Sequence, residues 1–535
     1  MSETDSEDFS ENSDSELETE IETDDEEEMV YVNQQPWIRA LPPEPEDQEP
    51  SNFKENLGPK NMPPHDSKPI SYFFLMVTID LINRMVLETN RYAAQYIASK
   101  DYIRRFSRLL DWRRVGEVTF NEMKAFIAVI LNMGLIRKAN ISEYWHTTYK
   151  SQETSWLRSV FSRNRFQQIL QFFHLVNNND IPNRNDPNYC PAAKFQVLVD
   201  HFNIQSSNHL VPEQNISIEE SLIATRGRCT MLQYIPSKSA KFGVKIWMLV
   251  EAASGYIFNM KIYRGKRYDP TPRGTTQGSY VINMLLASSR LLNKWYHVVC
   301  DSFFTSIDLA KQLLRDHTYI TGTLKQNRYM PNKIKNPQLG QNESIYMRQG
   351  EVGLCSYKEK EHRKPVRILT TKEKAVNNVH GKPKVLDFYN KNMGGVDLAD
   401  LMMTSYNSNR KSMKVWRKIV FNLIHRMVIN SYILYKKNTS DVPVKSRLSF
   451  IQSIIYDLAK DHLTDKEDTV ENTATGRGFV KVKLRKLPSG RQKEYSVCSD
   501  RYGFGGRRRA RTICTCCHRG LHKDCLIDHL CVAED

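Results

Sequence analysis

The chain has 535 residues, with 76 Lys and Arg against 61 Asp and Glu, and a formal net charge of +15. That length allows about three or four domains, and no apolar run approaches the ~18–20 residues that cross a membrane. The N-terminus lacks the basic n-region and apolar h-region of a secretory signal, so membrane and secreted classes are set aside.

Residues 1–28 hold fifteen Asp and Glu and no Lys or Arg, which leaves the remainder at +30. A body that basic attracts a polyanion, and nucleic acid is the leading candidate. Residues 1–68 read as a disordered region. The acidic, serine-rich run leads into Pro42, Pro43, Pro45, Pro50, Pro59, Pro63 and Pro64, with too little apolar area to offset chain entropy. The run is either a solubilising tail or a phosphate mimic that screens the basic body.

Apolar residues at helical spacing predict helices over 70–175. One runs from Ile70 into Ile79, Leu81, Ile82 and Met85. A second runs from Phe120 through Phe126 and Ile130 to near Gly134, and a third opens at Ser162. Residues 176–190 are turn-rich. From Asn215 the period becomes two, and 215–222, 242–250 and 256–263 read as strands. A helix over 282–292 follows, then the buried strand His297-Val298-Val299-Cys300, which runs straight into Asp301. Asp301 either sits where α/β sheets place their chemistry, or is a structural carboxylate at the start of the next helix, near Ser306. Strands, a helix and another strand suit a mixed sheet of the RNase H type. Residues 320–385 are β-prone and turn-broken. Gly394-Gly395 then open a helix with Asp397 and Asp400 on one face, and helices cover 413–436 and 446–462.

Glu219 and Glu220 on a first strand, Asp301 after a later one, and Asp397 and Asp400 on a helix form a set suited to phosphodiester chemistry. Mg²⁺ takes hard oxygen ligands, and two ions ~3.5–4 Å apart activate the attacking oxygen and stabilise the leaving one.

The chain resembles the piggyBac transposases and the host proteins derived from them. The matching residues are Asn215-Ile216-Ser217-Ile218-Glu219-Glu220-Ser221-Leu222, Arg226-Gly227-Arg228, Tyr234-Ile235-Pro236-Ser237-Lys238 and Phe242-Gly243-Val244-Lys245. Further on come Cys300-Asp301-Ser302-Phe303-Phe304-Thr305-Ser306, Tyr389-Asn390, Met393-Gly394-Gly395-Val396-Asp397, and Arg410-Lys411-Ser412 with Trp416. Upstream, Met133-Gly134-Leu135-Ile136, Tyr144-Trp145 and Ser162-Arg163-Asn164-Arg165 also fit. The resemblance implies an α/β fold with an RNase H-like catalytic core in two parts, 214–325 and 385–406, split by a β-rich insertion, 326–384. It implies a helical DNA-binding and dimerisation domain over 69–213 and 407–470, a basic linker over 471–497 and a cysteine-rich zinc-binding domain over 498–535. The implied catalytic carboxylates are Glu219, Asp301, Asp397 and Asp400, holding two Mg²⁺ ions. The implied DNA contacts are Arg226, Arg228, Lys238, Arg410 and Lys411. The implied partners are double-stranded DNA with TTAA targets and a second copy of the chain, with possible chromatin partners, in the nucleus.

The family has Asp where this chain has Glu219, so the carboxylate reaches one methylene further. A displacement of about an ångström in such a site costs ~10²-fold in rate. Two readings stay open: a transposase that still cuts and joins DNA, or one that keeps the fold as a chromatin-binding regulator.

Six of the ten cysteines lie between Cys498 and Cys531. Cys514 and Cys517, then His522, Cys525 and His529, have zinc-ligand spacing, with Cys498 upstream. The family's partner for Cys498 falls at Arg501, so a second zinc site is incomplete. Arg507, Arg508, Arg509 and Arg511 form a basic run suited to phosphate binding or to nuclear import.

Overall fold

Strand-forming sequence dominates the middle of the chain, and the sheet it builds positions everything else. A computed structural model describes residues 18–19, 36–44, 52–100, 112–113, 115–236, 238, 240–410, 412, 414–439, 443–476, 484–494, 509–515 and 519–521. The chain divides into two compact units, Met1–His462 and Leu463–Asp535.

In the first unit the main strands are β1 (Ile38–Ala40), β2 (Asn215–Ala224), β3 (Leu232–Tyr234), β4 (Phe242–Glu251), β5 (Ile257–Ile262), β6 (His297–Cys300), β7 (Tyr319–Thr323), β8 (Glu343–Gln349), β9 (Val352–Lys358) and β10 (Val366–Thr370). Nine consecutive residues of β4 are buried, as expected for a strand covered on both faces. β5, β4 and β2 are antiparallel neighbours, and β6 and β7 continue the sheet parallel to β2. The spatial order is therefore β5-β4-β2-β6-β7, with β3 also on β4.

Beyond β7 the same sheet carries on through β10, β9, β8 and β1, all antiparallel. Three of these, β8, β9 and β10, lie within residues 326–384. β10 covers the edge of β7, which would otherwise present unpaired N–H and C=O groups. A hydroxyl chain fastens the join: His297 Nε2 lies 2.8 Å from Thr321 Oγ1, which lies 2.8 Å from Thr370 Oγ1.

The expectation of disorder over 1–68 is corrected for 36–44 and 52–68. β1 pairs with β8, and Glu44 meets Arg348 at 2.8 Å. Glu55 meets Lys294 at 3.0 Å, and Gly58–Pro59 pairs with Leu210–Val211. These segments have no core of their own; they are held by edges and charges that the rest of the fold supplies.

The described helices include α1 (Pro69–Met76), α2 (Ile79–Ala98), α3 (Phe120–Leu135), α4 (Arg163–Phe172), α5 (Gln196–His209), α6 (Gln277–Ser288), α7 (Ile307–Arg315), α8 (Lys384–Asn392), α9 (Gly395–Ser405), α10 (Val415–Asn438) and α11 (Arg447–Gly476). The single run expected from Ile70 is two helices bent by 63°, because the Thr78 side chain accepts from Leu81 N–H and starts α2 afresh. The helix expected over 282–292 begins five residues earlier, where Thr276 caps Ser279 N–H. No single described helix is long and apolar enough to cross a membrane.

α5, α9 and α10 lie on one face of the sheet. Asn203 of α5 bonds both N–H and C=O of Met260, and Asn430 of α10 does the same for Ile257. Adjacent strand residues point to opposite faces, so Trp247 looks away from Met248 and packs on Phe303 and Phe304. α6 covers that second face, and α7 makes the crossover between parallel β6 and β7.

In the second unit, Leu484–Lys486 pairs with Thr512–Cys514 and Lys493–Glu494 with Arg509–Ala510. Cys498, Cys517, His522, Cys525 and His529, with Arg507 and Arg508, lie outside the described residues, as does Lys411.

Candidate active site

The ladder between β2 and β6 ends at the rung Ile218–Cys300. The next residue on each strand is a carboxylate, Glu219 and Asp301. Laterally aligned residues share a face, so both emerge side by side where the pairing stops.

The face is that of α9. Ser217 Oγ donates to Met393 C=O at 2.7 Å, and Ser221 Oγ donates to Asp400 Oδ1 at 2.7 Å. Glu219 lies between these two serines. A Cβ on Gly395 would come within 3.1 Å of both Ala252 Cα and Ser217 Cβ, so the glycine lets the helix start close against the strand. Asp397, in the first turn of α9, is exposed, and its charge reaches Glu219.

Asp301 is held by its own loop. Phe303 N–H donates to its Oδ1 at 3.1 Å, and Thr305 Oγ1 donates to its backbone C=O at 2.8 Å. Gly322 on β7 makes room for this fold-back: a Cβ there would sit 2.1 Å from Thr305 Oγ1 and 2.8 Å from Cys300 O. Burial pushes the Asp301 carboxyl above its ordinary value, against the pull of Phe303 N–H, Lys238 and Lys325.

Lys238 is at the centre of the charges. Its loop folds back in two overlapping turns, Lys238 N–H to Ile235 C=O and Lys241 N–H to Lys238 C=O. Its ammonium donates to Glu219 Oε1 at 3.0 Å and to Glu220 C=O at 3.1 Å, and it lies 3.7 Å from Glu220 Oε1. Burial opposes the ammonium charge, but Glu220 and Glu219 outweigh it and hold Lys238 above its usual range. Burial raises Glu219, with Asp397 and Asp301 adding to the rise and Lys238 offsetting it. Burial pushes Glu220 up to about 7.

Asp400 has a different neighbourhood. Its Oδ1 also accepts from Arg426 Nη2 at 3.0 Å, and the same nitrogen lies 2.8 Å from Ser221 Oγ. Arg426 is 2% exposed on α10. The structure thus groups Glu219, Glu220, Asp301, Asp397 and Lys238, and ties Asp400 to Arg426 beside them. Arg426, Ser221 and Gly322 had not been singled out. A signal for Arg426 existed: a charge amid Val420, Leu423 and Met427, on a stripe that a helix buries.

The expected DNA contacts are dispersed. Arg226 and Arg228 are exposed just beyond β2. Arg410 lies over the Tyr144 ring, 4.5 Å from its centroid, and donates to the Tyr144 hydroxyl. Arg509 and Arg511 are exposed in the second unit.

The donor chemistry suits a divalent metal. The oxygens are hard, and Glu219 Oε2 is buried without a hydrogen-bond partner. Among the described residues no three His, Cys, Asp or Glu side chains stand at ligand geometry around one point; Glu219 Oε1 is bonded to Lys238 and Asp301 Oδ1 to Phe303 N–H. Glu219, Asp301 and Asp397 are the residues that would hold Mg²⁺. Cys514 is buried on its strand, and no zinc-type cluster occurs among the described residues.

The family model described as Transposase IS4 matches residues 68–432. Human piggyBac transposable element-derived protein 5 is 23% identical over 448 residues, 79% of this chain and 80% of that protein. The human derived protein 2 is 23% identical over 395 residues, 70% of this chain and 63% of that protein. The chain belongs to the piggyBac transposase family. A solved piggyBac transposase, in a synaptic complex with hairpin DNA, superimposes with a TM-score of 0.70 at 23% identity, covering 88% of this chain and 98% of that one. At that identity the likeness is one of fold. The span of the family model, 68–432, takes in β2 to β10 and the carboxylates Glu219, Asp301, Asp397 and Asp400.

Proposed function

We propose that this piggyBac-family chain is a nuclear DNA-binding protein whose core is built for metal-dependent cleavage and transfer of DNA strands at TTAA-type sites. The carrying observation is the emergence of Glu219 and Asp301 side by side where the β2–β6 ladder ends, with Asp397 facing them. The order β5-β4-β2-β6-β7 supports the RNase H-like reading. When bound, Mg²⁺ supplies charge stabilisation at the reacting phosphate. Glu219, Asp301 and Asp397 would hold the ion; Asp301 is fixed by its Phe303 contact, and burial excludes water from Glu219. DNA is the partner because the body carries +30 and the related solved structure is a complex with hairpin DNA. A second copy of the chain, chromatin partners and Zn²⁺ on the Cys498–His529 ligands complete the proposal; metal analysis of the purified protein tests the zinc.

One observation favours the alternative, a DNA-bound regulator without catalysis. Glu219 is longer than the family's Asp and is already engaged by Lys238. The deciding assay incubates a TTAA-bearing duplex with Mg²⁺ or Mn²⁺ and wild type, Glu219→Asp or Asp301→Asn. Cutting by wild type that is lost in Asp301→Asn supports the enzyme. Cutting by Glu219→Asp alone supports the regulator. Bound DNA left uncut by all three rejects the catalytic reading.

A further inference from the structure

We propose that Lys238 is the resident counter-cation of the carboxylate cluster, that its ammonium competes with divalent ions for the oxygens of Glu219, and that metal loading displaces it. This inference rests on the divalent-metal reading of the site.

Three observations carry it. First, the charges of Glu219, Glu220, Asp301 and Asp397 all act on this one ammonium. Glu219 and Glu220 both meet it, at 3.0 and 3.7 Å, and two carboxylates on one monovalent cation are left under-compensated when they are ionised, so a cation of higher valence binds there more strongly. Second, the ammonium satisfies only part of Glu219. It bonds Oε1, while Oε2 stays buried without a partner, which is costly for a carboxylate oxygen. Third, Lys238 is able to leave. Its side chain is 25% exposed, on a loop between β3 and β4, at the end of a flexible four-carbon stem. Arg426 contrasts with it: 2% exposed, fixed in mid-helix and bonded to Asn422, Ser221 and Asp400. The fold therefore sets a fixed cation on Asp400 and a removable one on Glu219 and Glu220.

The arrangement also accounts for the extra methylene of Glu219. The longer side chain brings Oε1 to the ammonium at 3.0 Å, and a shorter one at that position gives up reach towards Lys238. Shortening it weakens the internal competitor.

The test is calorimetric titration of Mn²⁺ into the full chain without DNA, for wild type, Lys238→Met, Lys238→Arg and Asp301→Asn, with thermal unfolding of each protein with and without Mn²⁺. Lys238→Met is expected to bind Mn²⁺ about tenfold or more tightly than wild type, a change of about 1.4 kcal/mol. Its melting temperature is expected to fall without metal and to recover more than that of wild type when Mn²⁺ is added. Lys238→Arg keeps a cation and is expected to bind Mn²⁺ like wild type. Unchanged or weaker Mn²⁺ affinity in a folded Lys238→Met overturns the competition while leaving the metal site standing, provided Asp301→Asn binds more weakly than wild type. Absence of Mn²⁺ binding in every protein overturns both the competition and the metal reading beneath it.

Discussion

At the scale of single residues, the site is governed by how far each carboxylate is removed from water. Glu220 is the clearest case, pushed up to about 7 by burial. Its folded value lies above its unfolded value, so its contribution to stability is fully present below ~4.5 and is lost as pH rises through about 7. Glu220→Gln is therefore expected to stabilise the protein at pH 8 by on the order of 2 kcal/mol, with little effect at pH 4. Urea unfolding at the two values checks this; equal effects at both would contradict it. Asp301 was legible in the sequence because an apolar run into a carboxylate says where a buried strand stops. The bond from Lys238 to Glu219 was not. The two lie nineteen positions apart with β3 between them, and no periodicity reports a contact made through a loop.

At the scale of elements, α9 carries two carboxylates one turn apart with different roles. Asp397 is exposed and faces the cluster; Asp400 is bonded to Ser221 and to buried Arg426. Asp397→Asn is expected to leave stability within ~0.5 kcal/mol of wild type and to abolish strand cutting. Asp400→Ala leaves Arg426 buried with its ion partner gone and is expected to cost about 2 kcal/mol, measured by denaturant midpoint. The pairing of β6 with β7 gives a second element-scale prediction. A Cβ at Gly322 would strike Thr305 Oγ1 and Cys300 O, so Gly322→Ala is expected to lose about 1–3 kcal/mol and to weaken Mn²⁺ binding by shifting the Asp301 loop. A wild-type melting curve and Mn²⁺ affinity for Gly322→Ala would show that the loop does not depend on this approach. The strand at 215–222 and the helix at Gly394 were readable from period and glycines. The continuation of the sheet through β10, β9 and β8 was not, because strand pairing is non-local and turn-broken β sequence looks the same in a separate subdomain as at a sheet edge.

At the scale of the whole molecule, charge is divided between an acidic first segment and a body at +30. DNA affinity is expected to fall by at least about tenfold between 50 and 200 mM salt, linearly on logarithmic axes, as phosphate contacts release counterions. Fluorescence anisotropy across that range measures it, and a flat response would remove the electrostatic basis of the DNA reading. The segments 36–44 and 52–68 illustrate a limit of composition: proline and low hydrophobicity rule out a private core, yet Glu44 and Ile38–Ala40 find partners on β8. The most direct test of the central claim, that the carboxylates at the end of the β2–β6 ladder form a DNA-cutting site, is single-turnover cleavage of a TTAA duplex in Mn²⁺ by wild type, Glu219→Asp and Asp301→Asn. The account predicts cutting by wild type that is lost in Asp301→Asn. Equal cutting by these two, or DNA bound and left intact by wild type and Glu219→Asp alike, would contradict it.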